Sequence, residues 1–118
     1  MREVRQQAFG TKARPASSSI FVDSLRPEEA LVEIEATALV RDKEITKKAY
    51  EFDPPRPYLK ALVAEGCAFL SGSGGEGQAE EKQAESCFKT MEVYLKELGG
   101  SLQILRRVNQ ELTVRSNP

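Results

Sequence analysis

The sequence predicts an α+β domain in which two helices cover one face of a mixed β-sheet. An alternating segment and a long amphipathic helix carry most of this prediction. In residues 32–40 every second side chain is apolar and Glu33 lies on the opposite face, which is typical of a half-buried strand. In residues 78–98 apolar side chains recur at spacings of three and four and form one stripe, which predicts a helix of about five turns.

A hairpin is the third element that supports this fold class. Residues 59–65 and 67–71 are short apolar segments, and a tight turn at Glu65 and Gly66 separates them. A glycine-rich loop at 71–77 then leads to the long helix. This order favours two antiparallel strands followed by a helix that packs on them.

Weaker signals complete the order of elements. Residues 1–9 have helical spacing and end at Gly10, so they predict a short helix. Further strands are predicted at 19–22, from β-branched and aromatic residues, and at 106–114, from alternation. Residues 41–56 are rich in charge and proline and are interpreted as a connector that resists helix and central strand.

Size and charge limit the function classes. The 118 residues suit one compact domain; 40% are hydrophobic, and the formal net charge is -1. This balance disfavours disorder through charge repulsion and makes a general nucleic-acid surface an unfavoured interpretation. The chain contains no apolar run near the roughly 20 residues that span a bilayer, and charged residues follow Met1. We therefore expect a soluble cytoplasmic protein that binds no membrane.

Residue types also limit the chemistry. The chain has no histidine, and its two cysteines, Cys67 and Cys87, do not form a CxxC pair. Zinc sites and Cys-His catalysis are disfavoured, and neither a metal nor a cofactor is expected. A general base would have to be a carboxylate, a lysine or a positioned water.

Several short motifs share an order with a known family. The second part of the chain has Pro57-Tyr58, a strand pair ending in Ser71-Gly72, and LGGSL at 98–102. The first part has Phe9-Gly10 at a helix end, then Arg14-Pro15-Ala16 and the strand segment ALVEIEA at 30–36. Together these motifs resemble the reactive intermediate deaminase family, also called Rid or YjgF, whose fold is similar to that of chorismate mutase.

The resemblance covers nearly the whole chain, but with its halves exchanged. Residues 45–114 resemble the beginning of the family's domain and residues 1–40 its end. The chain is thus interpreted as one circularly permuted domain over 1–118, in which 41–56 connects a C-terminal-like half, 1–40, to an N-terminal-like half, 57–118. The alternative is a cut from a tandem array of such domains.

The resemblance implies a homotrimer with small-molecule clefts between subunits. Enzymes of this family hydrolyse imines or enamines derived from amino acids to ketoacids and ammonia. By resemblance, Glu33 would position the attacking water, whereas Tyr58 and Gly72 would line the pocket. The arginine that clamps the substrate carboxylate in the family falls on Ser17, whose hydroxyl cannot supply a charged, two-pronged donor.

The serine at position 17, where the family has an arginine, determines how the functional hypotheses are ranked. The first is a trimer that binds a small molecule and is non-catalytic or divergent towards imino acids, and the alternative is a hydrolytic deaminase that uses Glu33. An endoribonuclease is third, because Arg106-Arg107 is too small a basic cluster to indicate RNA binding. Arg14 and Arg56 are further candidates for ligand binding. From the residues alone, Glu33 also fits a solvated strand face and Tyr58 a packing role.

Overall fold

The computed structural model describes residues 2–11 and 14–112. Helix α1 spans Arg2–Phe9 and helix α2 spans Glu80–Glu97. Three strands lie between them in the chain: β1, Lys47–Tyr50; β2, Ala61–Ala64; and β3, Cys67–Leu70. A 3₁₀ turn follows α2 at Leu102–Ile104. The predicted α+β class is confirmed, and both helices lie where the apolar spacing placed them.

The three strands form an antiparallel sheet in the order β1-β2-β3. Lys47 of β1 lies opposite Ala64 of β2, and Ala61 of β2 lies opposite Leu70 of β3. The prediction of a mixed sheet is therefore wrong for these strands. Within the described residues, parallel pairing is limited to one bridge, between Ala16 and Leu59.

The turn between β2 and β3 was predicted correctly. Glu65 has φ 51° and Gly66 has φ 74°, so both central residues of this two-residue loop are in the left-handed region. Positive φ at both positions defines the type I′ turn, whose twist matches that of the strands it joins. Gly66 adopts this conformation without penalty, whereas Glu65 does not.

The strained position at Glu65 gives a stability prediction. Glu65→Asn is expected to raise the free energy of unfolding by about 0.5–1 kcal/mol, because asparagine tolerates the left-handed region better than glutamate does. The exposed ion pair between Arg41 and Glu65, 3.2 Å, would be lost, but such pairs contribute little. Urea unfolding is the measurement, with the exposed Glu44→Asn as control. Equal effects of the two substitutions would contradict the prediction.

Three predicted strands are absent from the described chain. Residues 19–22, 32–40 and 106–112 have no regular secondary structure, so these predictions are wrong; positions 113 and 114 of the last one lie outside the described residues. Alternation gives a segment one apolar face, but a strand also needs a neighbour that pairs with its N–H and C=O groups. No backbone hydrogen bond joins residues 31–40 to another described residue. Leu31 and Val40 are 92% and 91% exposed.

The interpretation of residues 41–56 as a connector is wrong for one part of that range. Lys47–Tyr50 forms the edge strand β1. The prolines of this region begin at Pro54, beyond the last paired residue, so they remove no donor from the ladder. The two lysines of β1 are exposed, a composition that suits a sheet edge.

The core is small and lies beside β2. Its buried apolar side chains are Leu59, Ala61, Ala64 and Leu95, and Ser71 is buried with them. Helix α2 contributes Leu95 to this core. Its Tyr94 contacts Phe52, which follows β1, with ring centroids 6.1 Å apart. No residue of α1 is buried, so the prediction that two helices cover the sheet is wrong for α1.

The chain leaves much of its surface in solvent. Its accessible area is 10551 Å², whereas a folded monomer of this mass exposes about 6,400 Å². Its radius of gyration is 16.3 Å, against about 13.5 Å for a compact domain of this length. Among the described residues, no helix combines the length and apolar character that crossing a membrane requires.

Candidate functional site

Segments from the two halves of the chain meet along a contact that we call the seam. Leu59 donates its N–H to the carbonyl of Pro15 at 3.0 Å, next to the bridge between Ala16 and Leu59. Ser17 donates its N–H to the hydroxyl of Ser71 at 2.7 Å. The seam comprises residues 14–18, 56–59 and 71–72. Its bonds from Arg14 to Arg56 and from Ser17 to Ser71 join residues that are 42 and 54 positions apart in the sequence.

The hydroxyl of Ser71 joins both sides of the seam. It accepts the hydrogen bond from Ser17 and donates one to the carbonyl of Leu59 at 2.6 Å. The residue is only 2% exposed, and both its donor and its acceptor are used. A buried hydroxyl that is fully paired fixes the distance between the segments it connects.

Gly72 lies directly against the first half of the chain. A Cβ atom at this position would be 2.7 Å from the Cβ of Ser18, closer than such atoms approach. The absence of a side chain therefore allows the seam to close. Ser17 and Gly72, which the family resemblance assigned to one pocket, lie at the same seam in this structure.

Tyr58 belongs to an aromatic and cationic cluster at one end of the seam. It is half-buried, and its ring meets Phe52 edge to face with centroids 5.5 Å apart. The guanidinium of Arg56 lies 4.2 Å from the centroid of Phe52, and its Nη1 donates to the hydroxyl of Tyr58 at 3.4 Å. The aromatic ring and the hydroxyl together hold the Arg56 side chain in place.

Arg14 links this cluster to the first half of the chain. Its Nη2 forms an ion pair with Glu51, its Nη1 donates to the carbonyl of Arg56, and its Nε donates to the carbonyl of Thr11 at 3.3 Å. Because all three nitrogens of its guanidinium contact partners, Arg14 has a mainly structural role and links the two halves of the chain. Sequence reasoning missed Glu51 and Phe52, because their partners are not close in the chain.

A cleft of about 240 Å³ lies next to this cluster. Within the described part of the chain, its charged lining residues are all arginines, and we call it the arginine cleft: Arg2, Arg5, Arg14 and Arg56. The other described residues that line it are uncharged. Arg2 and Arg5 were not identified from the sequence, although their spacing of three on a predicted helix places them on one face.

Glu33 is not held at the seam in the single chain. It is exposed and makes no hydrogen bond or ion pair with the residues that the structure describes. It belongs to residues 31–40, which have no regular secondary structure. Nothing within the described chain therefore positions this carboxylate against Ser17, Tyr58 or Gly72.

The seam carries polar groups that can contact a ligand. The hydroxyl of Tyr58 and the guanidinium of Arg56, next to the ring of Phe52, can bind and orient a polar ligand. The carboxylate of Glu51 is held there by its ion pair with Arg14. Over residues 2–11 and 14–112, no group of three or more cysteine, aspartate or glutamate side chains could hold a metal ion.

Comparison with known proteins leaves the family open. No family model, no curated protein and no solved structure matches this chain. The likeness to the Rid family thus remains a prediction based on the motifs, and the geometry of the seam is the basis for a functional proposal.

Proposed function

We propose that this chain is a circularly permuted Rid-like protein that forms a homotrimer and binds a small metabolite without deaminating imino acids. The observation that carries the proposal is the seam. The resemblance assigns Ser17, Tyr58 and Gly72 to one pocket although they come from exchanged halves of the chain. In support, Ser17 bonds to Ser71, Gly72 lies against Ser18, and Tyr58 directly precedes Leu59, which bonds to Pro15.

Contacts across the seam support one domain made of both halves. Residues 14–18 from the first half bond to Leu59 and Ser71 from the second half within the same chain. An arrangement of this kind suits a permuted domain, in which the new ends replace an old loop while the long-range contacts persist.

Self-assembly is supported by the apolar surface that a single chain leaves free. Ile34 is 78% exposed, and the neighbouring apolar side chains at 31 and 40 are even more exposed. Strands β1 and β3 are the outer strands of the described sheet, so each has one edge without a partner strand. Extended apolar segments and open edges are the features that pair between chains. A trimer would cover both and bring further groups towards the seam.

The absence of deaminase chemistry is supported at two positions. Ser17 cannot form the bidentate, charge-assisted contact that an arginine makes with a carboxylate, a contribution of about 1.5–3 kcal/mol. Glu33 has no partner among the described residues that would orient it towards a water molecule. The alternative hydrolase needs Glu33 to reach the seam from another subunit.

The first test is ammonia release from freshly generated iminopyruvate. We expect the wild type and Glu33→Ala to show the same rate as buffer, because the substrate carboxylate has no clamp. Ammonia release above background that Glu33→Ala abolishes would overturn the non-catalytic proposal and support the deaminase.

The second test concerns assembly and binding together. Light scattering on the purified protein is expected to give three times the mass of the chain, and saturation-transfer NMR is expected to detect dihydroxyacetone, a neutral carbonyl compound without a carboxylate, bound to the wild type. Gly72→Ala should weaken dihydroxyacetone binding, since the added methyl group would press on Ser18. A monomer, or dihydroxyacetone binding that Gly72→Ala leaves unchanged, would contradict the proposal.

A further inference from the structure

We propose that the arginine cleft is a binding site for a small phosphate-type dianion. Among the residues that the structure describes, four arginines and no carboxylate line it. This inference goes beyond the proposed function, because Arg2 and Arg5 lie outside the seam and their role does not depend on a Rid-like pocket.

The balance of charge around the cleft favours an anion. Arg14 is neutralised by its ion pair with Glu51. Arg56 contacts Phe52 and Tyr58, neither of which carries a compensating charge. Over the described residues, Arg2, Arg5 and Arg56 form no ion pair. About three positive charges thus surround a space that has no counter-charge.

Arg5 supplies an independent observation. Its Nη2 is buried and has no hydrogen-bond partner within the described chain. The guanidinium packs over the ring of Phe9 at 5.6 Å, which fixes its position but leaves this N–H group unsatisfied. Buried polar groups in proteins are almost always paired, and an unpaired charged donor is among the most costly to leave so. A small rotation of the Arg5 side chain towards the cleft that it lines would expose this N–H to a bound anion, which would supply the missing acceptor.

The number of lining arginines without an ion pair favours a phosphate group over a single carboxylate. A carboxylate has two oxygens, and one guanidinium fork can satisfy both. A phosphate group presents three or four oxygens in different directions, so it can accept from arginines on opposite walls of a cleft. A volume of about 240 Å³ holds one such group with a small organic substituent.

The same observations argue against a nucleic-acid surface. The unpaired charges are confined to one small cleft, whereas the whole chain has a formal net charge of -1. Binding to a nucleic-acid backbone needs a basic stripe that contacts successive phosphates.

Isothermal titration with inorganic phosphate at constant ionic strength tests the site. The wild type should bind one phosphate per chain, and Arg5→Met should weaken binding about tenfold to a hundredfold, the loss expected when a charge-assisted contact to an anion is removed. Methionine keeps a long apolar stem against Phe9, so α1 should be preserved. Arg41→Met is the matched control: it removes the same charge outside the cleft and should leave the affinity unchanged.

Arg56→Met serves as a second variant and should also weaken phosphate binding about tenfold, because it removes one of the guanidinium groups without an ion pair that line the cleft. Each variant is compared with the wild type by its thermal melt without phosphate. Equal losses in Arg5→Met and Arg41→Met would indicate a non-specific charge effect and overturn the site, as would no binding at millimolar phosphate. Tighter binding of a single-stranded RNA oligomer, weakened equally by all three substitutions, would also overturn it in favour of a nucleic-acid surface.

Discussion

Leu95→Ala is expected to lower the free energy of unfolding by about 2–5 kcal/mol, the largest effect of any single substitution considered for this chain. Leu95 is 2% exposed and is the one buried residue of α2. Removing its side chain takes away apolar contacts and leaves a cavity in the core. Because the described core contains so few buried apolar side chains, few neighbouring atoms can move in to fill that cavity.

Urea unfolding followed by circular dichroism, at one fixed protein concentration, measures this effect. Val93→Ala on the same helix is the matched control, since Val93 is 56% exposed and alanine favours the helix. We expect the control to change stability by less than about 0.5 kcal/mol. Equal losses in the two variants would mean that α2 does not depend on Leu95 for its packing.

Ser71→Ala is expected to destabilise the protein by about 1–3 kcal/mol, and to do so at the seam. The substitution removes one oxygen but leaves two groups unpaired, the N–H of Ser17 and the carbonyl of Leu59. Leaving buried backbone groups unpaired is more costly than losing one hydrogen bond between exposed groups.

Hydrogen exchange separates a local effect from a general one. In Ser71→Ala the amide of Ser17 should lose protection against exchange. The amides of the β2-β3 hairpin should exchange faster only by the amount that the loss of global stability accounts for. Ser73→Ala is the control, because the Ser73 hydroxyl makes no hydrogen bond with the described residues. Unchanged protection at Ser17 would show that the Ser71 hydroxyl does not hold the seam together.

Local signals were sufficient for the helices and the hairpin. The spacing of apolar residues before Leu98 predicted α2, and Glu65-Gly66 predicted the turn, since both depend on neighbours within a few residues. Segment 32–40 has an equally regular pattern, but a strand is stable only where its backbone forms hydrogen bonds with a second strand. Alternation does not reveal whether the single chain provides that second strand.

The candidate site also contains some residues that local sequence patterns indicate and others that they do not. Ser17 and Gly72 were suggested together only through a family resemblance, because no rule of spacing joins positions so far apart in sequence. The ion pair between Arg14 and Glu51 spans 37 residues, so local sequence patterns do not predict it. In contrast, Arg2 and Arg5 could have been recognised as one face of a short helix, and the cleft they line became evident only once Arg56 was placed beside them.

The hydrogen bond between Ser17 and Ser71 fixes one end of the long stretch from residue 19 to residue 46, and the pairing of β1 with β2 fixes the other. For a flexible loop, doubling the length costs only about 0.6 kcal/mol. Residues 41–45, which precede β1, should hence accept a short Gly-Ser insertion with little loss of stability. Protease cleavage there should yield two fragments that still co-purify, because the bonds that join them lie elsewhere.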